Sequence, residues 1–242
     1  MPEENLHGRI AIVTGASSGI GRATAELLIA RGALVSVFAR SAEALAALAA
    51  GREDRMLAVS GDIADEDAVE RLFRQTEERF GDCDVLVNNA GMIDPKPLLE
   101  TTAEAWDRMF AVNVRGTFLC SRAAAVNMAD RGGSIVNVAS ETAFTGSHGF
   151  AHYVASKGAI VSLTRALANE YGAQQIRVNC VAPGYTPTPG SNALGPYDAS
   201  RTPLGRVMEP HDLYGTFAYL LSDDAAFVSG QTMLVNGGRV PY

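Results

Sequence analysis

Arg9-Ile10-Ala11-Ile12-Val13-Thr14 is a short apolar run that breaks on Gly15-Ala16-Ser17-Ser18-Gly19-Ile20-Gly21. A helical pattern follows, with Ile20, Ala23, Leu27 and Leu28 along one side. A continuous apolar run that stops at a glycine turn reads as a buried parallel strand. Strand, glycine-rich turn and helix N-terminus in that order make an anion site. Glycines let the backbone approach a pyrophosphate, whose charge meets free N–H groups and the positive end of the helix dipole. The glycine intervals are four and then two, unlike the G-x-G-x-x-G of the commonest dinucleotide fingerprint. A tight connection is the plainer explanation of any glycine turn. Strand before and helix after favour dinucleotide binding.

The same alternation runs on. Ala33 to Phe38 is a second strand, and Ala44 to Ala50 reads as a helix. Met56 to Val59 is a third strand, running into Gly61-Asp62. Asp65-Glu66-Asp67 places negative charge at the start of the next helix, where the dipole favours it. Val69, Leu72, Phe73, Thr76 and Phe80 give that helix one apolar stripe. Val85-Leu86-Val87 closes on Asn88-Asn89-Ala90-Gly91 as a fourth strand. Four strands alternating with helices argue for an α/β chain with a doubly wound parallel sheet.

Thr101 to Glu104 fits a capping box opening a long helix through Trp106, Phe110, Val114 and Phe118. Asn113 sits inside that helix, where its side chain can divert backbone hydrogen bonding. Ser134 to Val138 is a fifth strand with Ser140 just past its carboxyl end, the side on which such sheets bind ligands. Ile176 to Val181 is a sixth, reaching Pro183-Gly184. Five of the ten prolines and four glycines fall between Pro183 and Met208, a 26-residue stretch too long for an ordinary connection. It reads as a binding loop or lid. Pro210 suits the first turn of a further helix, with Leu213, Phe217, Leu220 and Leu221 inward, and Thr232 to Val235 is a last strand.

Tyr153 and Lys157 stand four residues apart, one turn along a helix whose continuation is apolar at helical spacing. A phenol titrates near ~10, and a cation within about 4–6 Å lowers it toward the working range of an acid/base group. The pair is a compact proton-transfer device, although Tyr and Lys also meet at this spacing by chance on solvated helices. Glu141, His148 and His152 surround the tyrosine in sequence. Without fixed ligand geometry they are set aside as a metal site and read as solvated loop residues or as hydrogen-bond partners of a hydroxylated substrate.

The 242 residues are 47% apolar and 19% charged, ordinary for a soluble domain. A net charge of −7, with no basic run, argues against nucleic acid and anionic membrane as partners. No apolar stretch approaches ~18 residues, and acidic Met1 to Asn5 has no apolar segment after it, so neither membrane span nor secretory signal is expected. Cys83, Cys120 and Cys180 lack CxxC or zinc spacing and read as reduced, buried thiols in a cytoplasmic protein.

Together these stretches closely resemble the short-chain dehydrogenase/reductase (SDR) family, from Arg9 to the C-terminus. Thr14-Gly15-x-x-x-Gly19-x-Gly21 matches its cofactor motif and Asn88-Asn89-Ala90-Gly91 a motif that steadies its sheet. Asn113, Ser140, Tyr153 and Lys157 fall where the family keeps its catalytic tetrad. Pro183-Gly184, with Thr188 beyond, resembles its nicotinamide-contacting segment. Asn236 replaces a frequent Asp before Gly237-Gly238, expected to be remote from the chemistry. The resemblance implies a Rossmann-type three-layer sandwich with a seven-stranded parallel sheet, forming one catalytic domain over residues 1–242, usually in a homotetramer or homodimer. It implies that Tyr153 exchanges a proton with a substrate oxygen, Lys157 lowers the tyrosine pKa and holds the nicotinamide ribose, Ser140 bonds the substrate oxygen, and Asn113 positions a water. It also implies cofactor contacts from Ser17, Ser18, Ile20, Asp62, Ile63, Asn89, Ala90, Gly91 and Thr186.

After the second strand, where an NAD enzyme offers a carboxylate to the ribose, this chain has Ala39-Arg40-Ser41. A guanidinium pairs with a 2′-phosphate that a carboxylate would repel, Ser41 adds a donor, and Arg22 is a second candidate cation. NADP(H) is expected over NAD(H), although Arg40 also suits a solvated helix start. The expected activity is hydride transfer between NADP(H) and the carbonyl or secondary alcohol of a small substrate. The alternatives are a non-catalytic dinucleotide sensor or scaffold, an NAD-dependent dehydrogenase, and an epimerase or dehydratase, for which the chain is short.

Overall fold

The computed structural model describes residues 6–191 and 197–240; Met1 to Asn5 and Pro196 lie outside the described residues. Seven strands form one sheet: Ile10–Thr14 (β1), Leu34–Ala39 (β2), Met56–Ser60 (β3), Val85–Asn88 (β4), Gly133–Val138 (β5), Ile176–Pro183 (β6) and Thr232–Val235 (β7). The spatial order is β3-β2-β1-β4-β5-β6-β7, and every neighbouring pair is parallel. The chain winds outward from β1 to β3, then crosses back to lay β4 on the other flank of β1. At that reversal the loops leaving β1 and β4 diverge and open a crevice at the carboxyl ends of the strands.

Alternate residues of each strand feed opposite faces. Ala11, Val13, Val35 and Val37 meet Gly19–Ala30 (α1), Ala42–Ala49 (α2) and Tyr214–Leu221 (α8) through Leu28, Leu45, Leu48 and Phe217. Ile12, Leu86, Ile135 and Val178 meet Glu66–Phe80 (α3) and Gly116–Met128 (α5) through Leu72, Phe73, Leu119 and Met128. Ile160 and Val161 of Ala151–Tyr171 (α7), which follows the one-turn helix Thr142–Thr145 (α6), pack with Cys180 and Ala182. Leu213, Phe217, Leu220 and Leu221 are buried as their spacing implies, with Pro210–Leu213 forming a 3-10 turn before α8. The three thiols are free and buried, and burial pushes Cys83 up to about 12 and Cys180 to about 11.

The long helix expected from Thr101 is not continuous. Ala103–Phe110 (α4) gives way to a π turn over Ala111–Arg115 before α5. Asn113 sits in that turn, fully buried, in keeping with the diversion expected of its side chain. The helix is also capped one residue later than the box implied: the Thr102 hydroxyl accepts from the Ala105 N–H at 3.2 Å. The chain between Pro183 and Met208 carries a short 3-10 turn, Ala199–Arg201.

A buried polar chain crosses the middle of the sheet. Asn88 Nδ2 donates to Ser121 Oγ (3.0 Å) and Asn137 Oδ1 (2.9 Å), and Asn137 Nδ2 donates to Thr164 Oγ1 (3.0 Å). It ties β4 and β5 to α5 and α7. Because Asn137 is wholly buried, Asn137→Ala leaves the Asn88 amide short of a partner. The expected loss is about 1–3 kcal/mol, read as a lower urea midpoint at unchanged m-value.

Candidate active site

Gly15 and Gly19 have φ of +68° and +56°, a region L side chains rarely adopt. Space excludes side chains there too. A Cβ on Gly15 would lie 2.8 Å from Ala90 Cα, one on Gly19 2.7 Å from Thr188 Cγ2, and one on Gly21 2.3 Å from Asn89 Nδ2. Thr14 Oγ1 accepts from the N–H groups of Asn89 (3.1 Å) and Ala90 (3.0 Å), while Asn89 Nδ2 donates to the carbonyls of Thr14 and Gly15. The turn is thereby held against the end of β4. Ser18, the N-cap of α1, makes no side-chain cap bond, and no acidic residue stands in the first turn. An uncapped, acid-free helix start behind bare backbone fits a dinucleotide pyrophosphate.

Arg40 and Ser41 stand at the end of β2 and face the same cleft. Ser41 caps α2, its Oγ accepting from the Ala44 N–H, so its own hydrogen is left to donate. Arg40 makes no side-chain hydrogen bond or ion pair among the described residues. Asp62 Oδ1 accepts from the Ala64 N–H and Oδ2 from Arg108. Partial burial pushes its carboxyl up, but these bonds and the Arg108 charge outweigh that and hold it below the usual range. Arg22 does not reach the cleft; it pairs with Glu26 one turn along α1 at 3.1 Å.

Ser140 follows β5, and Tyr153 and Lys157 lie one turn apart on α7. Ser140 Oγ accepts from the Thr142 N–H (3.2 Å) and Thr142 Oγ1 (2.9 Å), leaving its own proton available. Lys157 Nζ donates to the Val138 carbonyl at 2.8 Å and stands 5.8 Å from the Tyr153 ring centre. The titration differs from the sequence expectation that the cation lowers the phenol. Burial raises the Tyr153 pKa, with Ser140 opposing, and burial brings Lys157 itself down to about 8. Loss of hydration disfavours the charged form of each group, and here it dominates both.

Gly21 and Asn113 do not line the cleft, Gly21 being packed beneath the turn. Asn113 Oδ1 accepts from the Met92 N–H at 2.8 Å and its Nδ2 donates to Met92 O and Ser156 Oγ. A Cβ on Gly91 would lie 3.4 Å from both Asn113 Oδ1 and Lys157 Nζ, so glycine keeps a small space open between them. The other singled-out residues, from Gly15 and Ser17 to Thr186 and Thr188, share one cavity of about 1170 Å³.

Sequence reasoning misplaced two neighbours of Tyr153. Glu141 and His152 are buried, 2% and 0% exposed, rather than solvated; His148 is exposed. Glu141 is ion-paired with Arg239 from beyond β7, and burial raises its carboxyl pKa against the pull of that guanidinium. Asn236 is not remote: its Cα would lie 3.1 Å from a Cβ on Gly184, in the cleft wall. Tyr185, Tyr197, Arg201 and Arg239 also line the cleft and were missed. Tyr185, Tyr197 and Arg201 fall within the 183–208 stretch read as a binding loop, but nothing local singles them out there or ties Arg239 to them.

Fold and cleft define a dinucleotide-binding α/β protein. A family model described as Enoyl-(Acyl carrier protein) reductase matches residues 15–239. The chain is 42% identical to cis-4-hydroxycyclohexanecarboxylate dehydrogenase of Sinomonas cyclohexanicum, over 95% of this chain and 96% of the relative. It is 37% identical to meso-2,3-butanediol dehydrogenase of Serratia marcescens, over 95% and 94%. A crystal structure of a short-chain dehydrogenase/reductase (SDR:Glucose/ribitol dehydrogenase) from Brucella melitensis superposes with a TM-score of 0.95 at 37% identity, covering 99% of this chain and 100% of that one. The chain belongs to the short-chain dehydrogenase/reductase family and is an oxidoreductase. No helix among the described residues is long and apolar enough to cross a membrane.

Lys157 has a stability consequence. Its pKa is depressed from 10.5 to about 8, so at pH 7 folding carries the full penalty of burying the cation. Lys157→Met should stabilise the protein without ligand by about 1–3 kcal/mol while impairing turnover. Raising the pH from about 8 through 10.5 neutralises the lysine first in the native and then in the unfolded state. Thermal melts across that window should show the advantage shrinking.

Proposed function

We propose that the protein is an NADP(H)-preferring alcohol dehydrogenase or ketone reductase acting on a small secondary alcohol or carbonyl. The observation that carries this is the convergence of Ser140, Tyr153 and Lys157 on one cleft with the glycine turn. Bound there, the nicotinamide supplies the acceptor or donor of a hydride. The Gly15–Gly21 turn and the start of α1, with Ser17, Ser18 and Ile20, would hold the pyrophosphate. Arg40, Ser41, Asp62 and Ile63 would hold the adenosine half, Asn89, Ala90 and Gly91 line the middle of the cleft, and Pro183, Gly184, Thr186 and Thr188 would hold the nicotinamide end.

Ser140 donates its remaining proton to the substrate oxygen and orients it. Tyr153 then takes or gives the alcohol proton, which demands a phenol whose charge is supported in the transition state. Lys157 supplies that support and binds ribose hydroxyls. Asn113, with the space at Gly91, holds a water that returns the proton to solvent. On this reading the chain is one catalytic domain, with the described part of residues 183–208 contributing its substrate loop. Phe118 and Val126, 44% and 74% exposed on α5, support a homodimer or homotetramer. The buried thiols accord with a cytoplasmic setting.

Tyr153→Phe should cut turnover at least ~100-fold with similar coenzyme affinity, the usual contribution of a general acid. Near-normal turnover by that variant would remove Tyr153 as the acid, whereas no turnover by the unaltered protein across a panel of carbonyls would leave a dinucleotide sensor as the better reading. The coenzyme choice rests on Arg40, exposed at the cleft with no acid where the ribose carboxylate of an NAD enzyme stands. Arg40→Asp should shift the kcat/KM ratio for NADP(H) over NAD(H) by about 10–100-fold toward NAD(H), since a charge-assisted contact contributes ~1.5–3 kcal/mol. Steady-state assays with both coenzymes check this; an unaltered ratio removes Arg40 from the site.

A further inference from the structure

The substrate half of the cleft holds charges that the proposed reaction does not use. Arg239 enters it from the segment after β7, with its Nη1 bonded to Glu141 Oε1. Its guanidinium carbon lies 5.6 Å above the Tyr197 ring, and Tyr197 stacks on Tyr185 with ring centres 4.6 Å apart and planes 6° from parallel. No described residue accepts from Arg239 Nε or Nη2. The guanidinium is thus held on an aromatic face and at one edge, with the rest of its donor fork unused. Glu141 directly follows Ser140, so this fork is anchored one residue from the hydroxyl that would hold the reacting oxygen.

Arg201 lines the same cavity from the Ala199–Arg201 turn. It makes no side-chain hydrogen bond or ion pair among the described residues, yet its charge reaches both Glu141 and Asp198. Asp198 is itself engaged, Oδ1 accepting from the N–H (2.9 Å) and hydroxyl (2.7 Å) of Ser200. In this half, Lys157, Arg201 and Arg239 therefore face two carboxylates, Glu141 and Asp198. The local excess is positive in a chain of net charge −7. A planar guanidinium with two free donors matches a carboxylate, and its fixed position limits the entropy lost on binding.

We propose that this cleft selects a small hydroxy acid or oxo acid, whose carboxylate docks on Arg239 with Arg201 beside it while the carbinol or carbonyl carbon sits at Ser140 and Tyr153. This rests on the alcohol-site reading above and names its substrate class. The carboxylate is a spectator: on oxidation the carbinol loses a hydride to NAD(P)⁺ and a proton through Tyr153, and the acid group leaves unchanged.

Cyclohexanecarboxylate and cyclohexanecarboxamide, which lack the hydroxyl and cannot turn over, separate recognition from reaction. Titration calorimetry on the coenzyme-loaded protein should give at least tenfold tighter binding of the acid than of the amide. Arg201→Gln should reduce that preference severalfold, and Arg239→Gln should abolish it. Because Arg239→Gln alone strands the buried Glu141, the pair Glu141→Gln with Arg239→Gln is measured beside it, with melting curves for each; Arg239→Lys should retain part of the preference. Equal affinity for acid and amide, or a preference that survives both Arg201→Gln and the Glu141/Arg239 double variant, overturns the proposal. Oxidation of cyclohexanol, followed in parallel, reports on the reaction itself. Turnover without acid preference sinks the anion site alone, whereas acid-selective binding without turnover of any alcohol sinks the dehydrogenase reading alone.

Discussion

The junction between Thr14 and Asn89 is the constraint on which the site depends. It lies where the winding of the sheet reverses and the loops after β1 and β4 part. One threonine hydroxyl receives two backbone N–H groups and donates to the Val87 carbonyl, and one amide nitrogen returns two bonds to the glycine turn. These bonds satisfy backbone groups that would otherwise be orphaned where the two strands end. They also set the distance between turn and sheet so tightly that Gly21 has no room for a methyl group. The anion cradle is therefore a product of hydrogen bonding between two strand ends as much as of glycine content.

The acid/base pair lies at the other side of that crevice, and its placement works against stability. Lys157 is 5% exposed, with the Val138 carbonyl as the protein acceptor for its Nζ. Burial disfavours both the ammonium and the tyrosinate. Such a pair persists because α7 is anchored elsewhere, through Thr164 to the Asn88–Asn137 chain and through Ser156 to Asn113. The π turn around Asn113 belongs to the same arrangement: it carries a buried amide whose hydrogen bonds brace the Met92 backbone and α7 together.

The positions of the strands and of the glycine turn were legible from the sequence because each depends on neighbours within a few residues, and the alternation of strand with helix carried the parallel sheet. The strand order itself came only with the structure. Apolar runs ending in glycine, stripes at helical spacing and the Tyr153–Lys157 interval are local patterns whose physics needs no distant partner. The cap at Thr102 rather than Thr101 is a one-residue slip of the kind that helix ends permit. The break at Asn113 was signalled by an amide in a helix interior, although its π geometry was not.

What the chain alone could not determine is how residues far apart in sequence change one another's surroundings. Glu141 reads as a solvated loop residue until Arg239, 98 positions away, is brought against it. Asn236 reads as remote until β7 pairs with β6 and sets it beside Gly184. A lowering of the tyrosine by the lysine was inferred from charge and spacing, but burial, which only the packed core decides, is the largest influence on each group, raising Tyr153 and lowering Lys157. Spacing determines which side chains share a helix face; desolvation and long-range pairing, which set their charge and their company, exist only once the sheet has closed around them.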